Sequence, residues 1–246
     1  MAFTVVFGLA VCLAAAFVSM ALLVRTSFGR VPHAITFLPA PLVLFNLWMS
    51  AWFVFECLRH FALTAMTPGS ALRLVAFVFL VASLLSVAFL YGCASVVHQF
   101  LGGQTSRRVR RGAKYVALAY ASLLVVGWSA YHFNADSTLF SRLRSPLALA
   151  GTPLALASWI WLLKGAAGLT DAAWRSKVRQ LARRYVALFS VMLIAAIVRD
   201  RLDAIGLALA LGLDVSLVLT YTLLTVLWVE SVQEPRRPAP VHQAMP

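Results

Sequence analysis

Residues 3 to 24 contain no charged side chain. A run that apolar reaches the ~20 residues a helix needs to cross a bilayer. No basic residue precedes it, and it is longer than the core of a cleavable signal peptide, so it reads as a true span. Six further apolar stretches follow: Ile35 to Leu58, Ala71 to Phe100, Tyr115 to Phe133, Pro146 to Leu169, Tyr185 to Val198 and Ala204 to Val229. At 62% hydrophobic and 12% charged residues, the chain is too apolar for a soluble domain. The fold predicted from this pattern is all-α, a polytopic bundle of seven transmembrane helices over residues 1–232. Residues 233–246 are polar and Pro-rich and are expected to form a disordered cytoplasmic tail. The sixth stretch is short of the ~20-residue requirement and spans only with residues 181–184 or 199–203 added.

The order of the stretches is oriented by Arg107-Arg108-Val109-Arg110-Arg111-Gly112-Ala113-Lys114. A basic cluster beside a span resists translocation and stays cytoplasmic. Placing this segment inside, as a loop between spans three and four, assigns every other connection by alternation. Arg25, Arg30, Arg107, Arg108, Arg110, Arg111, Lys114, Arg175, Lys177, Arg179, Arg183, Arg184, Arg236 and Arg237 then lie inside. Arg59, Arg73, Arg142, Arg144, Arg199 and Arg201 lie outside. That excess predicts an outer N-terminus and an inner C-terminus. The net charge of +13 is explained by the membrane, and no nucleic-acid partner is expected. The basic run reads either as a topology anchor alone or as a contact for anionic lipid headgroups.

A second basic segment follows a cap predicted at Thr170-Asp171. Trp174, Val178, Leu181 and Tyr185 share one helical face, with Arg175, Lys177, Arg179, Arg183 and Arg184 among them. The pattern predicts a short amphipathic helix on the cytoplasmic surface that runs into span six, with Trp174, Arg175 and Arg179 available to lipid or a partner.

Asp214 is the carboxylate most clearly inside a span, and an intramembrane acid is a site by default. Arg199 and Asp214 flank a turn near Gly206 and fall at similar depth, roughly 11–12 Å below it. An Arg199–Asp214 ion pair is predicted, serving a ligand or simply locking the hairpin. Near the outer surface, Glu56, His60, His132 and Asp136 gather with Trp52, Trp128 and Tyr131. They read as a pocket for a proton or small ligand, or as a wet helix end with aromatic anchors. Cys12, Cys57 and Cys93 lie in separate spans with no metal spacing. No nucleotide-binding, kinase or zinc-hydrolase motif occurs, so no catalytic residue, cofactor or metal is expected.

Ala88-Phe89-Leu90-Tyr91 through His98-Gln99-Phe100-Leu101-Gly102 resembles one helix of the seven-helix sensory membrane regions of bacterial transducers. Asn46-Leu47-Trp48 to Phe55-Glu56 is similar too. In that group the region precedes a histidine kinase or a LuxR-type DNA-binding domain. Here about seventeen residues follow the last span, with no effector domain. The resemblance implies a non-enzymatic sensor or receptor-like module in a bacterial cytoplasmic membrane, acting through a separate cytoplasmic partner. The alternatives are a structural or accessory subunit of a larger membrane complex and, third, a small-molecule transporter.

Overall fold

The computed structural model describes residues 2–28, 33–36, 38–65, 68–134, 152–199 and 204–233. Side chains over 59–72 and 130–134, and a few near 33 and 196–207, lie outside that description, as does the tail from residue 234. The described elements are helical: α1 (Ala2–Phe28), the single turn α2 (His33–Thr36), α3 (Pro39–Ala65), α4 (Pro68–Leu101), α5 (Gly103–Asn134), α6 (152–165), α7 (Ala172–Arg199) and α8 (Ala204–Gln233). The short 3₁₀ turn Ala166–Gly168 follows α6.

Four helices carry stretches long and apolar enough to cross a membrane: Phe3–Phe28, Pro39–Leu58, Arg73–Leu101 and Ala208–Val232. They mark the chain as an integral membrane protein. The other long helices fall short for visible reasons. The first turns of α5 hold Arg107, Arg108, Arg110, Arg111 and Lys114, and those of α7 hold Arg175, Lys177, Arg179, Arg183 and Arg184.

Successive long helices run in opposite directions. Asn46 of α3 donates to the carbonyl of Ala15 on α1, and Thr26 near the end of α1 to that of Thr36 on α2, just before α3. Phe45 meets Phe89, and Phe55 meets Phe79, between α3 and α4. His98 bonds Ser106, and Phe77 meets Trp128, between α4 and α5. Tyr185 bonds Thr225, and Lys177 reaches the carbonyl of Ser231, between α7 and α8. The end of α1, the start of α3, the α4–α5 turn, the start of α7 and the end of α8 therefore share one end of the bundle. The arginine-rich segments meet there, and this end is called basic below.

An aromatic cluster fills the centre. Phe45 touches Trp48, Phe89, Phe189 and Tyr221 at ring-centroid distances of 5.1 to 6.2 Å. Trp159 of α6 packs edge-on to Tyr185 at 4.5 Å. Edge-to-face and tilted arrangements of this kind suit the ring quadrupoles. One polar knot crosses the same core. The Asn46 amide nitrogen contacts the Ala15 carbonyl at 3.1 Å, Ser19 Oγ at 3.4 Å and Thr222 Oγ1 at 3.1 Å, tying α3 to α1 and α8. Interhelical bonds from small polar groups are a usual adhesive where lipid supplies no hydrophobic drive between helices.

One sequence expectation is corrected. The basic run 107–114 is no loop: Gly102 and Gly103 take φ of 61° and 76°, reverse the chain, and α5 begins at once. Two glycines reach the left-handed region that other residues enter at a cost. The arginines, lysine and alanine beyond them favour helix. The helix expected at Trp174 does run on into span six. Residues 172–199 form one helix, because no Gly or Pro interrupts them. Val178, Leu181, Ala182, Tyr185, Leu188, Phe189 and Met192 continue a single buried stripe along it.

The cap expected at 170–171 is present. Asp171 Oδ1 accepts from the backbone N–H groups of Ala173 and Trp174 at 2.9 and 3.2 Å. Asp171→Ala is expected to cost about 1 kcal/mol, measurable as a shift of the unfolding midpoint in mixed micelles.

Candidate functional site

A concavity with polar walls lies near the basic end, between α3, α4 and α5. It is a cleft of about 790 Å³. Ala40, Pro41 and Leu44 of α3 form one wall, and Ala88, Gly92 and Val96 of α4 the opposing apolar face. Gly92 faces this wall at ordinary contact distance: a Cβ there would lie 3.4 Å from Pro41 Cγ and 3.5 Å from Leu44 Cδ1. Tyr91, Ser95, His98 and Gln99 bring polar groups to the same space, at the i, i+4, i+7 and i+8 spacing of one helical face. Arg110 closes the cleft from α5.

The polar groups are tied together. Arg110 Nε donates to Tyr91 Oη at 3.4 Å, and its guanidinium carbon lies 6.0 Å from the Tyr91 ring centroid. His98 Nδ1 bonds Ser106 Oγ at 2.8 Å, and Ser106 donates to the carbonyls of Gly102 and Gly103. The α4–α5 turn thus fixes the imidazole. Gln99 Oε1 is buried and has no hydrogen-bond partner. An ion pair joins Arg25 and Glu230, at 3.7 Å. Both of its side chains are half exposed, so it adds at most about 1 kcal/mol. No carboxylate among the described residues neutralises Arg110.

The residues singled out from sequence are distributed as follows. Arg107, Arg108, Arg111 and Arg179 are exposed on the first turns of α5 and α7. Arg175 is half-buried and binds the carbonyls of Leu169 and Thr170, at 2.7 and 3.3 Å. The Trp174 ring stacks on Phe100 at 5.7 Å and meets Trp228 at 5.9 Å, so it belongs to the bundle. Trp228 Nε1 in turn donates to the Lys177 carbonyl.

Glu56 is buried on α3, beside the stacked pair Trp52–Phe55. The side chains of His60 and His132, and all of Asp136, lie outside the described residues. Asp214 is buried on α8, within electrostatic reach of the Cys12 thiol on α1. The Arg199 side chain lies outside the described residues. The backbone register still bears on its pairing. Tyr185 opposite Thr225 and Phe189 opposite Tyr221 put Arg199 level with Leu211, three residues before Asp214. Asp214 therefore sits about one helical turn, ~5 Å, deeper than the matched depth expected.

Sequence reasoning did not find the cleft that Tyr91 and His98 line. The signal was available as the 91, 95, 98, 99 polar stripe beside Gly92. The role of Asn46 as a three-helix knot was also missed, since nothing in a sequence says which helices an amide joins. Among the described residues no three His, Cys, Asp or Glu side chains gather as a metal site would. The chain matches no family model, and no curated protein or solved structure is significantly similar to it.

Proposed function

We propose that the protein is a seven-crossing membrane module, N-terminus outside and C-terminus inside. In this proposal it takes a proton or small ligand from the outer side and acts on a separate protein partner at its basic cytoplasmic end, without catalysing a reaction. The observation that carries this is the continuity of α3. One unbroken helix runs from Pro41, in the wall of the basic-end cleft, to Glu56 at the far end. Glu56 is one of the four titratable residues expected to form the outer cluster. A charge change there acts on a rigid element whose other end packs beside Arg110. The likeness of residues 88–102 to a helix of bacterial sensory regions points the same way. The Arg199–Asp214 pair belongs to the proposal as a lock on the last hairpin, with the arginine reaching one turn inward.

The structural or accessory-subunit reading is the second. It draws support from the filled aromatic centre, where Phe45, Phe89, Phe189 and Tyr221 are each at most 1% exposed. A packed centre also gives a transport path no room at that level. The two main readings separate on one measurement. A cysteine placed by Arg108→Cys is labelled in inside-out vesicles while the pH on the opposite face is stepped from about 7.5 to 5.5, across the histidine range. The sensor reading expects the labelling rate to change about twofold or more, and the change to vanish in His60→Gln with His132→Gln. A rate independent of that pH sinks proton sensing and favours the accessory subunit.

A further inference from the structure

We propose that the cleft between α3, α4 and α5 binds one acidic phospholipid, its phosphodiester on Arg110 and an acyl chain along the α3–α4 wall. Three features select that chemistry. The cleft is amphipathic: Ala40, Pro41, Leu44 and Gly92 give an apolar face, and Tyr91, His98, Gln99 and Arg110 a polar one. Its volume, about 790 Å³, falls within the usual range for sites that enclose a small ligand. The charge is unbalanced in the anion's favour. Arg110 gives its Nε to Tyr91 and faces no carboxylate among the described residues, so its terminal nitrogens remain as a forked donor.

The polar groups divide the headgroup between them. The guanidinium takes the phosphodiester oxygens. Gln99 Oε1, buried and without a hydrogen bond, accepts from a headgroup hydroxyl such as that of phosphatidylglycerol. Tyr91 holds the arginine in place from below. The first turn of α3 adds the positive end of its helix dipole to the same wall. A soluble anion would use the polar face but leave the apolar wall bare, whereas a lipid covers both.

Arg107, Arg108, Arg110, Arg111 and Lys114 are all exposed on α5, but of the run only Arg110 lines this space. A specific site is therefore distinguishable from a diffuse basic surface. That the headgroup comes from the cytoplasmic leaflet rests on the orientation proposed above. The binding itself does not, so its failure would leave that orientation standing.

The test uses the full-length protein in nonionic detergent. It is titrated with dioleoylphosphatidylglycerol, dioleoylphosphatidylcholine or inorganic phosphate, and bound lipid per chain is counted by native mass spectrometry. One phosphatidylglycerol is expected to be retained, about tenfold more tightly than phosphatidylcholine, with millimolar phosphate leaving it in place. Arg110→Gln should weaken it about tenfold and Arg108→Gln less than about twofold, although both remove one charge. Gly92→Leu should weaken it about tenfold or more with every charge intact, because the side chain grows into the cleft. Gly92→Ala, whose Cβ meets Pro41 only at ordinary contact distance, should bind as the parent does and shows that the fold tolerates the position. Equal losses from Arg110→Gln and Arg108→Gln would overturn the site in favour of diffuse charge. Full binding by a folded Gly92→Leu would overturn it as well. Displacement of the lipid by equimolar phosphate would make it a free-anion site and overturn the lipid assignment.

Discussion

Phe45→Ala is expected to destabilise the bundle by about 3 kcal/mol. Phe45 is 1% exposed and sits where α3, α4, α7 and α8 meet. Truncation leaves a void bounded by Phe89, Phe189 and Tyr221, none of which can swing in without breaking its own ring contacts. In a membrane, the unfolded reference keeps its helices in lipid, which is as apolar as the core. The loss is then mostly of packing rather than of transfer from water. It should read as an earlier unfolding midpoint in mixed micelles with the helical content of the native state unchanged. Phe45→Leu, which refills most of the volume, should recover more than half of the loss. A Phe45→Ala protein as stable as the parent would mean the cluster is not the core.

Asn46→Ala comes next, at about 2 kcal/mol. Interhelical hydrogen bonds in membrane proteins average roughly 0.6 kcal/mol and rarely exceed about 1.7. Asn46 makes contacts to Ala15, Ser19 and Thr222, and the Ser19 contact at 3.4 Å is the weakest. Its Oδ1 is buried without a partner, which already offsets part of the gain. A double-mutant cycle with Thr222→Ala should return a coupling of about 0.5–1.5 kcal/mol. No coupling would show that the amide does not join α3 to α8.

What could be read from the sequence follows a physical divide. Helix existence and rough extent were legible, because apolar length and the refusal of lipid to hydrate a backbone leave no other solution. The Asp171 cap was legible because its hydrogen bonds are local. The basic run was misplaced in a loop since charge suggests solvent exposure, not conformation. Gly102 and Gly103 needed only two residues to turn the chain, and the arginines then continued as helix. That the helix at Trp174 packs into the bundle was not legible for a similar reason. Its apolar stripe faces Phe100 and Trp228, not lipid, and a one-dimensional pattern cannot tell a protein partner from a membrane. The cleft depends on which face of α4 meets α5. That register is set by contacts such as His98 with Ser106 and Phe77 with Trp128, which no single segment encodes.

Orientation is the premise under the outer cluster and under the choice of leaflet for the cleft's lipid, and it can be tested by side-specific labelling. Arg108→Cys and Asp136→Cys are made separately in a protein whose three native cysteines are replaced by alanine or serine. Intact cells are treated with a membrane-impermeant maleimide before and after permeabilisation. The expected result is that position 136 labels at once, whereas position 108 labels only after the membrane is opened. Labelling of position 108 from outside, or of both positions on the same side, would contradict seven crossings with the arginine-rich end in the cytoplasm.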